Sequence, residues 1–231
     1  MEALAPPSTI EGVSASRTIA TRRQRVDWGR AEFVLVLLGF LGFLALPIRI
    51  TTVYSGLPAH PLFVHVPVIL VPTTIVAAIV LMAKPGWLAR YGIALALVSI
   101  FAMSSVFLVM QAGGALESVL HLRGEAAHLI SEHSQAAHIL AIVYVAFTAL
   151  LIVAFAAQRI SGGRPTGLAI VDRPLASPSV FNVLRGFVVV LAIVAGFFTF
   201  RTGDLGAKAV WAGRLQAAEA RATDPAASAA R

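Results

Sequence analysis

Residues 136–157 read AAHILAIVYVAFTALLIVAFAA, and the class of fold turns on this stretch. It holds one histidine, His138, and no Asp, Glu, Lys or Arg over 22 residues. As a helix it would be about 33 Å long at 1.5 Å per residue, enough to cross a hydrocarbon core of about 30 Å. Its apolar residues run continuously instead of alternating as the strands of a membrane barrel do, so a helix is expected.

Four more blocks of this kind lie along the chain: 33–48, Pro61 to Met82, about Leu88 to Met110, and about Val180 to Phe200. The chain is 58% hydrophobic and 13% charged, where a soluble domain carries roughly 25% charged residues. The expected fold is therefore an all-α polytopic membrane bundle of five transmembrane helices. Residues 1–30 read as a disordered tail and 31–55 as an extra N-terminal helix with its loop. Residues 56–215 read as a four-helix membrane domain and 216–231 as a disordered C-terminal tail.

The formal charge is +7, but the basic residues sit mostly in the tails and short loops. That is the distribution that orients helices in a membrane, so a lipid bilayer and not a nucleic acid is the expected partner. With the N-terminus inside, the inner segments hold eleven of the 18 Lys and Arg residues, and the outer loops between helices hold only Arg49 and Arg123. A multi-pass protein of the cell membrane is expected, with its N-terminus in the cytoplasm and its C-terminus outside. Trp28 and Trp87 then fall at the inner interface and Tyr54 at the outer one, where aromatic residues collect.

The absence of cysteine excludes disulfides, thiolate metal sites, iron–sulfur clusters and c-type haem attachment on this chain. There is no P-loop, dinucleotide fingerprint, nucleophile elbow or H-E-x-x-H. No independent catalytic activity is expected. The spans carry almost no charge, which makes a proton-coupled transporter the weakest of the readings.

In this orientation all six histidines fall on the outer side. His60 and His65 open the second block in GLPAHPLFVHVPVIL, residues 56–70. Pro67 and Pro72 have no N–H to give to the carbonyls of Phe63 and Val68, which predicts a kinked, widened helix mouth. His60 precedes Pro61 and is expected in extended backbone ahead of the helix. His65, one turn inside, is expected to face the bundle. A kinked helix with histidines at headgroup level is the plain alternative.

His133 and His138 lie five residues apart, about 140° around a helix, so one should face inward and the other outward. Two histidines at one depth on different helices can ligate a haem iron axially. The candidate pair is His65 with His133 or His138. His60, His65, His133 and His138 are thus the candidate cofactor residues, for haem b or a divalent metal. Farther out, His121, Glu125, His128 and Glu132 fall on one face of an expected short surface helix. Imidazole and carboxylate there form a candidate metal set, and a solvated charged face is the alternative. Asp204 is the outer carboxylate placed to meet the histidines.

Four short motifs carry a resemblance: HPLFVHVP at the mouth of the second block, QAGGALESV after the third, ISEHSQAA before the fourth, and TGDLGAKAV after the last. Over about residues 56–215 the chain resembles the membrane protein family catalogued as domain of unknown function 2231. The resemblance implies a four-helix unit whose third helix is preceded by a histidine, here His133, and no agreed activity. The helix at 33–48 is additional to that unit, and Ala207 stands where a second glycine is usual. Some relatives are joined to or near redox modules, which implies a haem or metal site and redox proteins or a membrane complex as partners. A cofactor-free accessory subunit stays open beside that reading.

Overall fold

The structure, a computed structural model, describes residues 34–42, 53–54, 57–119 and 124–223. Its helices are α1 (residues 34–42), α2 (Ala59–Phe63), α3 (His65–Ala83), α4 (Pro85–Val119), α5 (Gly124–Ser161), α6 (Ala169–Leu175) and α7 (Pro178–Thr223). Two short strands, β1 (Val53–Tyr54) and β2 (Leu57–Pro58), pair antiparallel ahead of α2. Four stretches among the described residues are long and apolar enough to cross a membrane: Ala59–Ala83, Pro85–Val119, Gly124–Ser161 and Pro178–Trp211. The expected all-α membrane bundle is the fold. Of the expected helix over 33–48, residues 34–42 are described as α1, and the rest lies outside the described residues, as does the tail 1–30.

Proline and glycine set the breaks. Pro67 has no N–H for the carbonyl of Phe63, and α2 ends at Phe63 with α3 starting at His65. Pro72 is carried inside α3. Lys84 takes the extended backbone expected before a proline, and Pro85 opens α4. Gly124 (φ 63°) opens α5. Between α5 and α6, Gly163 (φ 81°) and Gly167 (φ 86°) turn the chain through left-handed backbone that disfavours a side chain. The Asp172 carboxylate ties that turn by accepting from the Thr166 and Gly167 amides and the Thr166 hydroxyl at 2.8–2.9 Å.

α3 packs on α4 and α7, and α5 packs on the same two helices, so the four spans close into a ring. In hydrocarbon, helices gain little from hiding apolar surface. They gain from close packing, which small residues allow. Ala78, Ala102, Ala141, Ala154, Ala157, Ala192 and Ala195 are all buried along these seams. Larger side chains, Tyr144, Phe147, Leu151 and Met103, fill the centre. Outward-facing residues such as Phe101, Ile142, Ile193 and Phe197 are exposed and apolar, as a lipid-facing surface requires. α1 lies outside the ring, where Val36 packs on Ala96 and Ile100 of α4 and Ile152 of α5.

The segment between the second and third long spans departs from expectation. No separate surface helix forms there among the described residues. α4 runs on to Val119 and α5 begins at Gly124, so the expected face is part of α5's first turns. A helix already carries its own backbone hydrogen bonds and needs no new partners on leaving the bilayer. For the same reason α7 continues past residue 215 to Thr223, through LQAAEARAT, a stretch of good helix formers.

Candidate functional site

At the end of the ring where α2 meets α4, two histidines are held by the same device. His60 on α2 donates from Nδ1 to the Val109 carbonyl of α4 at 3.0 Å. His133 on α5 donates from Nδ1 to the Thr202 carbonyl of α7 at 2.8 Å. Each accepting carbonyl lies four residues before a glycine, Val109 before Gly113 and Thr202 before Gly206. In a helix the Cβ of residue i+4 leans back toward the N-terminus, over the carbonyl of residue i. Glycine removes that Cβ and uncovers the carbonyl for a second donor.

The fit is close in both halves. A Cβ on Gly113 would stand 3.0 Å from His60 Nδ1, and one on Gly206 would stand 3.1 Å from His133 Nδ1. The same added Cβ would be 3.9 Å from His133 Nε2, so the glycine lies against the Nδ1 edge of that ring. A neutral imidazole that donates from Nδ1 keeps its lone pair on Nε2. The ring centroids of His60 and His133 are 6.3 Å apart, with the planes nearly perpendicular at 86°. The arrangement can therefore offer two pre-oriented imidazole nitrogens from two helical hairpins.

This pairing corrects the expectation that His65 meets His133. His60 is already inside a helix, since α2 begins at Ala59. The bias against helical backbone before a proline is overridden there by the ring's bond to α4. His65 is exposed. His133 faces inward and His138 outward, as their spacing requires, and His138 returns its Nδ1–H to the Ser134 carbonyl of its own helix at 2.7 Å. The Asp204 carboxylate takes the Lys208 ammonium at 2.7 Å.

The outer metal set does not assemble among the described residues. Glu125 and His128 are exposed and Glu132 is half-buried along the start of α5, while His121 lies outside the described residues. Among the described residues no three of His, Cys, Asp and Glu gather closely enough to hold a metal ion.

Sequence reasoning missed Gly113 and the two carbonyls, and named Gly206 only as a small residue that lets another helix approach. Their signal was present in QAGGALESV and TGDLGAKAV, where small residues follow a carbonyl by one turn. Ala207, in place of a second glycine, is exposed and leaves the close approach at Gly206 intact.

A family model described as "Predicted membrane protein (DUF2231)" matches residues 56–219, a span that takes in His60, Gly113, His133 and Gly206 together. The chain belongs to this family. The DUF2231 match begins after α1, so the helix docked on the α4–α5 seam is outside the family unit. No curated protein and no solved structure matches the chain.

Proposed function

We propose that this membrane protein binds haem b between His60 and His133 at the outer side of the bilayer and acts there in electron transfer. The observation that carries this reading is the pair of Nδ1 bonds to uncovered backbone carbonyls. A hydrogen bond on one ring nitrogen fixes the tautomer and makes the other a better ligand. The donor set fits a haem. The two rings stand close enough, 6.3 Å by centroid, for both to reach one bound group. Two histidines would suffice to hold a haem iron, whereas a bare divalent ion would need further protein ligands.

When bound, the haem would supply a one-electron couple. The protein's part is to hold both imidazoles oriented, each tied to a helix other than its own. A redox protein or a membrane complex at the outer face is the partner this reading calls for. A cofactor-free accessory subunit draws on the same ring pair as simple edge-to-face packing. An absorption spectrum of the detergent-purified full chain, expressed with haem precursor supplied, separates the two. A Soret band at near-stoichiometric haem is expected, and a clear spectrum under those conditions sinks the haem reading.

The orientation follows the basic residues, with the N-terminus in the cytoplasm, the C-terminus outside and α1 as part of a fifth span. Reporter fusions at both ends are expected to give a cytoplasmic signal from the N-terminus only. Cytoplasmic signals from both would mean that the α1 segment does not cross.

A further inference from the structure

The end of the ring opposite the histidine pair carries the turn between α3 and α4, the close of α5, all of α6 and the opening of α7. Lys84, Arg90, Arg159, Arg164, Arg173 and Arg185 belong to it, and Asp172 is the one acidic residue in stretches 84–93 and 157–187. Both Asp172 oxygens are engaged within their own turn, by Thr166 and Gly167. Lys84, Arg90, Arg164 and Arg173 are exposed, and none of the four is paired with a carboxylate among the described residues. The histidine end is different. There Glu117, Glu125, Glu132 and Asp204 are interleaved with Arg201, Lys208 and Arg214, and Asp204 pairs with Lys208.

Cations at one end suffice to orient helices during insertion. Orientation does not require exposed apolar residues beside them, yet these are present. Ile170 on α6 is 87% exposed, the highest value for a large hydrophobic residue among those described, and Leu168 just before it is 58% exposed. α6 has seven residues, about 10 Å of helix, too short to cross a bilayer. Leu175 packs α6 against the bundle core. Ile170 lies five residues back, about 140° around the helix, and so turns away from the bundle. Arg173 is three residues from Ile170 and shares its face. Arg164 precedes the same short helix. At the start of α4, Trp87 and Tyr91 are exposed as well. Lys84 Nζ lies 4.4 Å from the Trp87 ring centre, and the Arg90 guanidinium 5.4 Å from that of Tyr91. Exposed aromatic rings and cations at one level are the composition of a headgroup layer.

We propose that this end of the bundle binds anionic phospholipid. Leu168 and Ile170 enter the acyl boundary, and Arg164 and Arg173 take the headgroup phosphates. Apolar side chains flanked by cations on a short surface helix have the chemistry of that contact. Lys84 and Arg90 add to the attraction at the same end. The face is independent of the histidine pair and of any cofactor there.

Native mass spectrometry of the detergent-purified full chain tests this, with dioleoyl phosphatidylglycerol and dioleoyl phosphatidylcholine added in equal amounts. Several-fold more phosphatidylglycerol is expected to stay bound. Glycerol phosphate, which has the anionic group without acyl chains, is expected not to displace it. A double Arg164→Gln, Arg173→Gln variant should lose about fivefold in phosphatidylglycerol affinity per arginine. Arg201→Gln with Arg214→Gln removes the same charge from the histidine end and should leave the preference intact. Leu168→Ser with Ile170→Ser should weaken retention of both lipids. Equal retention of the two lipids by the wild-type chain would overturn the proposal. So would displacement by glycerol phosphate, an unchanged preference in the folded Arg164, Arg173 variant, or an equal fall in the Arg201, Arg214 variant. Should the Arg164, Arg173 variant not fold, its two single variants carry the same test.

Discussion

Purified His60→Ala protein is expected to lose its Soret absorbance, while His65→Ala protein keeps it. His60 reaches across to α4, bonds the Val109 carbonyl and stands against His133. His65 opens α3 with its side chain exposed. Changes to groups that merely orient a ligand cost 10–100-fold in metal affinity. Removing the ligand itself should therefore cut haem retained through purification by more than about tenfold. His133→Ala should match His60→Ala, because each hairpin supplies one imidazole. Haem content measured against folded yield checks this. Loss in His65→Ala with none in His60→Ala would return the site to the other end of the α2–α3 break.

Gly92→Ala is expected to lower stability more than other single-methyl additions in the bundle. A Cβ at residue 92 would lie 2.3 Å from Phe155 Cδ2 and 2.7 Å from Cε2. Phe155 is buried, so its ring has little room to withdraw. Overpacking of this kind costs about 1–3 kcal/mol, and thermal unfolding in detergent should show it as a clear fall in midpoint. Phe155→Leu in the same chain should restore part of the loss, since residues in contact are energetically coupled. By contrast, Gly196→Ala meets nothing within 4 Å and should be nearly silent. An unchanged midpoint in Gly92→Ala would mean that α4 and α5 do not approach as closely as described.

Much of this was readable from residues alone. Continuous apolar runs without charge specify membrane helices, because backbone groups in hydrocarbon must bond within their own segment. The breaks at Phe63, Lys84 and Gly124 follow from proline's missing N–H and glycine's access to left-handed backbone. The five-residue spacing of His133 and His138 already required them to diverge.

The choice of His60 over His65 needed the tertiary structure. In a soluble helix the polar face marks the outside, and the inward phase can be read from it. Here lipid-facing and bundle-facing surfaces are both apolar, so the pattern does not say which side of a helix turns inward. Three-dimensional packing also made functional parts of residues that bear no chemistry of their own. Gly113 and Gly206 matter only because a histidine from another helix meets the carbonyl each one uncovers. The sequence by itself determined a helical membrane bundle with its histidines toward one end. Which two of them meet was decided by how α2 lies on α4 and α5 on α7, a contact between segments 49 and 69 residues apart that no local pattern encodes.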